Sequence, residues 1–269
     1  METKEQIRVV VVGPRGKMGR EVVRTVLSDP ELELVGAVDR TLSGVEVGQA
    51  LGLPETGVIL STNLNETLVE AKPDVMIDFT NPNSVRAHVE AAIEYGVRPV
   101  VGTTGITQDD LRKWDEALRK QEIGGLVAPN FAIGAILMMK FAAIAARYMP
   151  HVEIIELHHD QKLDAPSGTA VKTAELIAKE RKSLRQGHPN EEEKWAGARG
   201  AEFEGMRIHS VRLPGFVAHQ EVIFGGVGQT LTIRHDSITR ESFMPGVAMA
   251  TKRVMTYEGL VYGLENLID

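Results

Sequence analysis

Between residues 156 and 170 the chain reads Glu-Leu-His-His-Asp-Gln-Lys-Leu-Asp-Ala-Pro-Ser-Gly-Thr-Ala, and these types at this spacing can do chemistry. Histidine is the side chain best suited to exchange a proton near neutrality, which makes His158 or His159 a general acid. Lys162 supplies a point charge that attracts a carboxylate or assists protonation. Ser167, Gly168 and Thr169 offer backbone N–H groups and hydroxyls where a helix opens, a cradle for an anion. The set suits a small anionic substrate that is protonated as it reacts. Consecutive strand residues point to opposite faces, so either one of the two histidines is structural or the strand ends between them. Glu156, His158, His159 and Asp160 could also be metal ligands, but no His-Glu-x-x-His helix or second spaced cluster accompanies them, and no metal is expected. Asp160 and Asp164 are expected to orient neighbours or to cap the coming helix.

A second group lies near the start of the chain. Residues 7–19 run from an apolar strand into Gly-Pro-Arg-Gly-Lys-Met-Gly at 13–19, and Asp39 follows at the end of the next strand. Gly13 permits a tight turn, Gly16 lets the backbone approach a pyrophosphate, and Gly19 lets helix and strand pack closely. A helix starting near Lys17 would aim its N–H groups and positive dipole end at the phosphates. The spacing is Gly-x-x-Gly-x-x-Gly, with Pro14 removing one donor. Asp39 stands where a carboxylate commonly binds adenosine ribose hydroxyls, which suits NAD. Arg40, with Arg15 and Lys17, could instead neutralise the additional phosphate of NADP. Both cofactors stay open. Two further loops at strand ends, Gly102-Thr103-Thr104-Gly105 and Ala128-Pro129-Asn130-Phe131, carry small hydrogen-bonding groups suited to a nicotinamide carboxamide, and Thr80 is a further candidate.

The elements that must position these residues are legible in the apolar pattern. Valine- and isoleucine-rich runs at 7–12, 34–38, 75–79, 99–101 and 125–127 alternate with amphipathic stretches at 19–27, 84–95 and 108–121. Continuous apolar strands separated by helices imply a parallel sheet covered on both faces, a doubly wound Rossmann-type α/β domain over 1–130. A long helix at 133–148 then leads to the strand that delivers the histidines and to a helix at 168–185. Around Glu191-Glu192-Glu193 a solvated loop is expected. Strand-like runs at 206–212, 217–224 and 229–234 follow without helices between them, which suggests a second α+β domain with an open mixed sheet over 131–239. A second subunit is one way to cover that sheet. The tail from 245 to 257 and beyond reads as helical, and the segment 240–269 is expected to pack back onto the first domain.

Composition narrows the function classes. The chain has 269 residues, 43% hydrophobic and 25% charged, ordinary values for one or two globular domains. A net charge of −7 disfavours nucleic acid and anionic membrane as partners. With no cysteine there is no disulfide, no thiolate metal site and no thiol nucleophile, which removes a semialdehyde dehydrogenase working through a thioester. A nicotinamide-binding sensor would bring a DNA-binding or partner module, and no such segment is present. The most apolar stretch, 131–146, is interrupted by Lys140 and is shorter than the ~20 residues of a membrane span. The N-terminal Met-Glu-Thr-Lys-Glu-Gln lacks the apolar core of a signal peptide, and a cytoplasmic protein is expected.

Taken together, the chain resembles the 4-hydroxy-tetrahydrodipicolinate (dihydrodipicolinate) reductase family nearly end to end. The resemblance rests on the motifs at 13–19, 102–105 and 128–131 and most of all on 158–170. Ile-His-Ser-Val-Arg-Leu-Pro-Gly at 208–215, Ala-His-Gln-Glu-Val at 218–222 and Arg-His-Asp-Ser at 234–237 add to it. It implies hydride delivery from NADH or NADPH to a cyclic imine dicarboxylate, with loss of water, in diaminopimelate and lysine biosynthesis. By that likeness His158 is the proton donor or acceptor and Lys162 a second donor or carboxylate partner. His159, Gly168 and Thr169 hold the substrate's carboxylates. Phosphates and ribose lie on Gly13, Pro14, Arg15, Gly16, Lys17, Met18 and Asp39, with Arg40 adjacent. The nicotinamide lies near Gly102, Thr103, Thr104, Ala128, Pro129, Asn130 and Phe131. Lys17 stands where some relatives carry arginine. The family also implies two hinged domains, a C-terminal segment returning to the cofactor domain, and a homotetramer built through the second domain's sheet.

Overall fold

A computed structural model describes residues 6–103 and 105–268. It divides into two units, one formed by the residues up to Phe131 and from Phe243 on, the other by Ala132–Ser242.

In the first unit the chain runs β1 (Ile7–Val12), α1 (Lys17–Ser28), β2 (Leu32–Val38), α2 (Val47–Leu51), β3 (Leu60–Ser61), α3 (Leu64–Ala71), β4 (Val75–Asp78), α4 (Val85–Glu94), β5 (Arg98–Val101), α5 (Gln108–Lys120) and β6 (Gly124–Val127). Every pairing among these strands is parallel. The valine run of β1 is unbroken because both faces are covered: Val9, Val10, Val11 and Val12 are at most 3% exposed. Helix α1 buries Gly19, Val22, Val23 and Val26, the spacing of one helical face. Helix α5 opens on a capping box in which the Thr107 side chain accepts the Asp110 N–H and the Asp110 carboxylate accepts the Thr107 N–H. The short elements α2, β3 and α3 fall between the runs at 34–38 and 75–79, where the sequence reading placed no element.

The second unit runs α6 (Ile133–Ala146), β7 (His151–His158), α7 (Gly168–Glu180), β8 (Ala201–Phe203), β9 (Met206–Arg212), β10 (Ala218–Gly226) and β11 (Gln229–Ser237). Its five strands are ordered β11-β10-β7-β9-β8. The sheet is mixed: β7 and β9 are parallel and the other pairs antiparallel. Helix α6 packs on β10 and β11, α7 on β7, and the two helices on each other. Helix α7 ends at Glu180, short of the expected 185, because Arg181 turns extended and its guanidinium donates to the Leu184 carbonyl at 2.8 Å.

The C-terminal segment returns to the first unit as α8 (Met244–Arg253) and β12 (Gly259–Tyr262). The helix expected from 245 is present as α8, but the expectation that the tail stays helical beyond 257 is corrected here. β12 is a seventh parallel strand beside β6, giving the order β12-β6-β5-β4-β1-β2-β3. Apolar Leu260 and Val261 cover the sheet edge, while Leu260 N–H donates to Asp115 Oδ1 of α5 at 2.7 Å. Helix α8 lies against α1, with Lys252 Nζ 2.9 Å from Asp29 and 2.5 Å from Glu31. Among the described residues no helix is long and apolar enough to cross a membrane.

Gly246 on α8 allows this return. A Cβ there would lie 1.9 Å from the Phe131 carbonyl oxygen, a backbone atom that cannot move aside cheaply. Gly246→Ala is therefore expected to destabilise the protein by about 3 kcal/mol, read as a lower urea midpoint; an unchanged midpoint would show that α8 does not depend on this contact.

Candidate active site

The described sequence-selected residues of the first unit follow the carboxyl ends of parallel strands, where open α/β sheets bind ligands. At the β1–α1 turn Gly13 takes φ +75°, in the left-handed region. A Cβ on Gly19 would lie 2.1 Å from the Gly13 oxygen, so both positions need glycine for strand, turn and helix to meet this closely. Pro14 is buried, Arg15, Gly16 and Lys17 are exposed, and Met18 is half-buried. Gly16 is the N-cap of α1 and, lacking a side chain, puts none over the helix's first N–H groups. Such a start has the shape and polarity to receive a phosphate.

Asp39 follows β2 and is 8% exposed. Its Oδ1 accepts the Thr41 N–H (2.9 Å), the Thr41 hydroxyl (3.1 Å), the Leu42 N–H (3.2 Å) and Arg15 Nη1 (3.2 Å). Burial alone would raise its pKa; the Thr41 donors, Arg15 and Leu42 outweigh that and hold it below the ordinary value. All of these bonds land on one oxygen, Oδ1. Arg40 is exposed.

Gly102 and Thr103 follow β5, and 128–131 follow β6, where Ala128 N–H donates to the Val101 carbonyl at 2.9 Å. Thr104 lies outside the described residues. Ala128 and Phe131 are buried, Pro129 is exposed and Asn130 is half-buried. The Phe79 and Phe131 rings pack at 5.3 Å. These loops are tied together by a residue that sequence reasoning missed, the fully buried Asp78 at the end of β4. Its Oδ1 accepts the Thr80 N–H (2.8 Å), the Thr80 hydroxyl (2.7 Å) and the Thr103 hydroxyl (3.1 Å). Its Oδ2 lies 2.6 Å from Nδ1 of His88 on α4. A carboxylate ending an otherwise apolar run, Val-Met-Ile-Asp, was the available signal.

In the second unit the strand ends at His158, which settles the histidine question: His158 is its last residue, and His159 lies just beyond, exposed. His158 shares a face with Glu156, whose side chain is fully buried. Nδ1 of His158 lies 2.5 Å from Glu156 Oε2. Arg212, from β9, grips the same carboxylate with both terminal nitrogens, Nη1 to Oε2 at 2.9 Å and Nη2 to Oε1 at 2.7 Å. The Ser167 N–H donates to Oε1 at 3.2 Å. Burial would raise the Glu156 pKa; hydrogen bonds from His158, Arg212 and the Ser210 hydroxyl overcome it and hold the group at about 2. Glu156 is thus committed to these donors rather than to a metal, and among the described residues no group of three or more His, Asp or Glu has metal-holding geometry.

Lys162 Nζ lies 2.6 Å from Asp164 Oδ1, which lowers the Asp164 pKa. Asp164 therefore orients Lys162, and the cap of α7 is Ser167, whose hydroxyl accepts the Ala170 N–H at 3.2 Å. Asp160 pairs with the Gln161 amide at 3.0 Å. A Cβ on Gly168 would meet nothing within 4 Å, so the helix start is open at Gly168, while Thr169 beside it is half-buried. Arg212 Nη2 also donates to the Asp164 carbonyl at 2.7 Å, joining the lysine loop to the same cluster. The sequence reading weighed Glu156 only as a metal ligand and gave Arg212 no role. An acid at a buried position of an apolar strand, two residues before a histidine, was the signal for the first; nothing local points to the second.

Comparison with known proteins matches this geometry. The profile described as dihydrodipicolinate reductase, N-terminus, matches residues 7–131, and the one for the C-terminus matches 134–268. The 4-hydroxy-tetrahydrodipicolinate reductase of Geobacillus kaustophilus is 57% identical over 263 residues, covering 98% of this chain and 99% of the relative. That of Bacillus subtilis is 53% identical over 267 residues, 99% and 100% of the two chains. Among solved structures, the dipicolinate-bound dihydrodipicolinate reductase of Paenisporosarcina sp. TG-14 superposes with a TM-score of 0.89 at 52% identity, covering 98% of this chain and all of that one. An amine dehydrogenase of Mycobacterium smegmatis shares the fold alone, with a TM-score of 0.70 at 16% identity over 96% and 95% of the chains. Matched in both units and along nearly its whole length, the chain belongs to the dihydrodipicolinate reductase family, NAD(P)H-dependent oxidoreductases of diaminopimelate and lysine biosynthesis.

Proposed function

We propose that the chain reduces the cyclic imine dicarboxylate 4-hydroxy-tetrahydrodipicolinate to tetrahydrodipicolinate, with the 4-hydroxyl lost as water, one hydride and one proton added, and His158 as general acid. The observation that carries this reading is the engagement of His158 Nδ1 by Glu156 at 2.5 Å. That bond leaves Nε2 as the nitrogen that exchanges a proton. The same stretch carries Lys162 and the open start of α7, cationic and N–H groups suited to a dicarboxylate.

NADH or NADPH, when bound, supplies the hydride. The uncapped start of α1 and the glycine-only turn at 13–19 fit its pyrophosphate, and Asp39 Oδ2 fits a ribose hydroxyl. Arg15, 3.2 Å from Asp39 in space, and Arg40, beside it in the chain, suit either cofactor. Gly102, Thr103 and the 128–131 loop hold the nicotinamide end, with Thr104 in the same motif. In the second unit His159, Gly168 and Thr169 hold the substrate's carboxylates and Lys162 pairs with one of them or gives a second proton. Nε2 of His158 passes its proton to the ring system where hydride addition builds negative charge. Such acid catalysis is typically worth ~10²–10⁴ in rate.

The dipicolinate in the Paenisporosarcina protein supports a dicarboxylate ligand in this chain as well. A cytoplasmic homotetramer completes the reading. The half-buried Ile155, Leu157 and Ile223 lie on the sheet face away from α6 and α7, where other copies would cover them.

The deciding assay condenses aspartate semialdehyde and pyruvate in situ with the upstream synthase and follows NADH and NADPH absorbance in parallel. Oxidation dependent on the condensed product is expected, and none with either cofactor would sink the assignment. His158→Ala should lower kcat by ~10²–10⁴ with little change in KM; unchanged turnover would refute the acid role. Thr169→Val should raise KM about tenfold and spare kcat, since a hydrogen bond to a charged group is lost. A loss confined to kcat would argue against the cradle.

A further inference from the structure

The Glu156 carboxylate does more than satisfy a buried cluster. Each of its oxygens accepts one guanidinium N–H from Arg212 and one donor from the proposed site. Oε2 takes Arg212 Nη1 and His158 Nδ1, and Oε1 takes Arg212 Nη2 and the Ser167 N–H. Against an ionised carboxylate, His158 must carry its proton on Nδ1 to make this bond. The neutral ring is then the tautomer with a lone pair on Nε2, and reprotonation occurs only there.

We propose that Glu156, held by Arg212, is a positioning residue that sets the tautomer and aim of His158 and, through its other oxygen, fixes the start of α7. The inference rests on the reading of His158 as proton donor. A purely structural role explains the arrangement less well. A buried ion pair contributes little net stability, and an apolar pair of similar volume is often as stable or more so. The apolar alternative would leave His158 free to rotate and to take the other tautomer. It would also remove the acceptor of the Ser167 N–H at the helix cap. Arg212 supports the same end from the other side: its second bond from Nη2, to the Asp164 carbonyl, anchors the loop that carries Lys162. The general acid, the lysine loop and the anion cradle therefore share one carboxylate–guanidinium pair as their reference point.

The test reads the histidine ring directly. Protein labelled with 15N-histidine, in buffer alkaline enough for neutral imidazoles, is expected to show the His158 proton on Nδ1, assigned by loss of the signal in His158→Ala. In Glu156→Gln the amide N–H₂ can turn toward the ring, and the proton should move to Nε2. The same variant should lower kcat about 10–100-fold while KM changes less, and this loss should largely vanish in the His158→Ala background. A wild-type ring protonated on Nε2, or a Glu156→Gln loss as large without His158 as with it, would overturn the proposal. Should Glu156→Gln not fold, the wild-type tautomer still decides. If His158→Ala alone left turnover intact, the proton-donor reading would fall, while the tautomer measurement would still judge the hold of Glu156 on the ring.

Discussion

A carboxylate with a fully buried side chain in the middle strand of a sheet costs several kcal/mol of desolvation unless charge and hydrogen bonds are returned to it. Glu156 meets that demand by drawing donors from three places: its own strand, the neighbouring β9 and the cap of α7. The requirement works as a constraint on the chain. β9 must pair with β7 in the register that sets Arg212 beside His158 and Ser210 beside Glu156. The loop from 159 to 166 must return so that Ser167 faces Oε1. Shifting β9 by one residue would turn Arg212 to the other face of the sheet and strand the charge. Much of the second unit's local geometry follows from keeping this one anion satisfied.

The first unit is organised by a different constraint, the exclusion of side chains where backbones meet. Gly19 sits against the Gly13 carbonyl and Gly246 against that of Phe131, so two of the loop-bearing strand ends are pinned by contacts that no other residue permits. Asp78 then adds a polar tie between the ends of β4 and β5 through Thr80 and Thr103. Exclusion suits a surface that must receive a pyrophosphate, since backbone N–H groups are brought forward with nothing in front of them. A general acid needs the opposite treatment, a side chain held in one rotamer and one tautomer. The two units meet these needs with glycine in one case and a buried charge in the other.

This difference also accounts for what could be read before the structure was known. The glycine turn, Asp39 and the strand ends at Gly102 and Ala128 lie in local patterns, where spacing and apolar periodicity carry the information. So do His158, Lys162 and the opening of α7. Arg212 lies 56 residues from Glu156, and nothing near it in the chain announces the pairing. Asp78 and Thr103 are 25 apart and equally silent. β12 was misread as helix because its four residues form a strand through the β6 edge they join, a tertiary effect that no local window contains. The cap of α7 falls to Ser167 rather than to an aspartate because Asp164 is already engaged by Lys162.

Two ion pairs of the second unit, Arg212–Glu156 and Lys162–Asp164, illustrate how burial sorts charged groups by task. Arg212 and Glu156 have side chains 19% and 0% exposed, and separating them would leave an unpaired charge in the sheet. That pair is built to persist. Lys162 and Asp164 are 21% and 58% exposed, and Asp164 can be rehydrated at once when its partner leaves. With its carboxylate this open to water, such a pair is worth about 1 kcal/mol. In the proposed reaction a substrate carboxylate therefore draws Lys162 away from Asp164 at small cost, while the frame that aims His158 stays closed. Binding and proton transfer can then be adjusted largely separately, because the hydrogen bond that joins the exchangeable pair to the fixed pair runs through the Asp164 backbone carbonyl, which Arg212 holds.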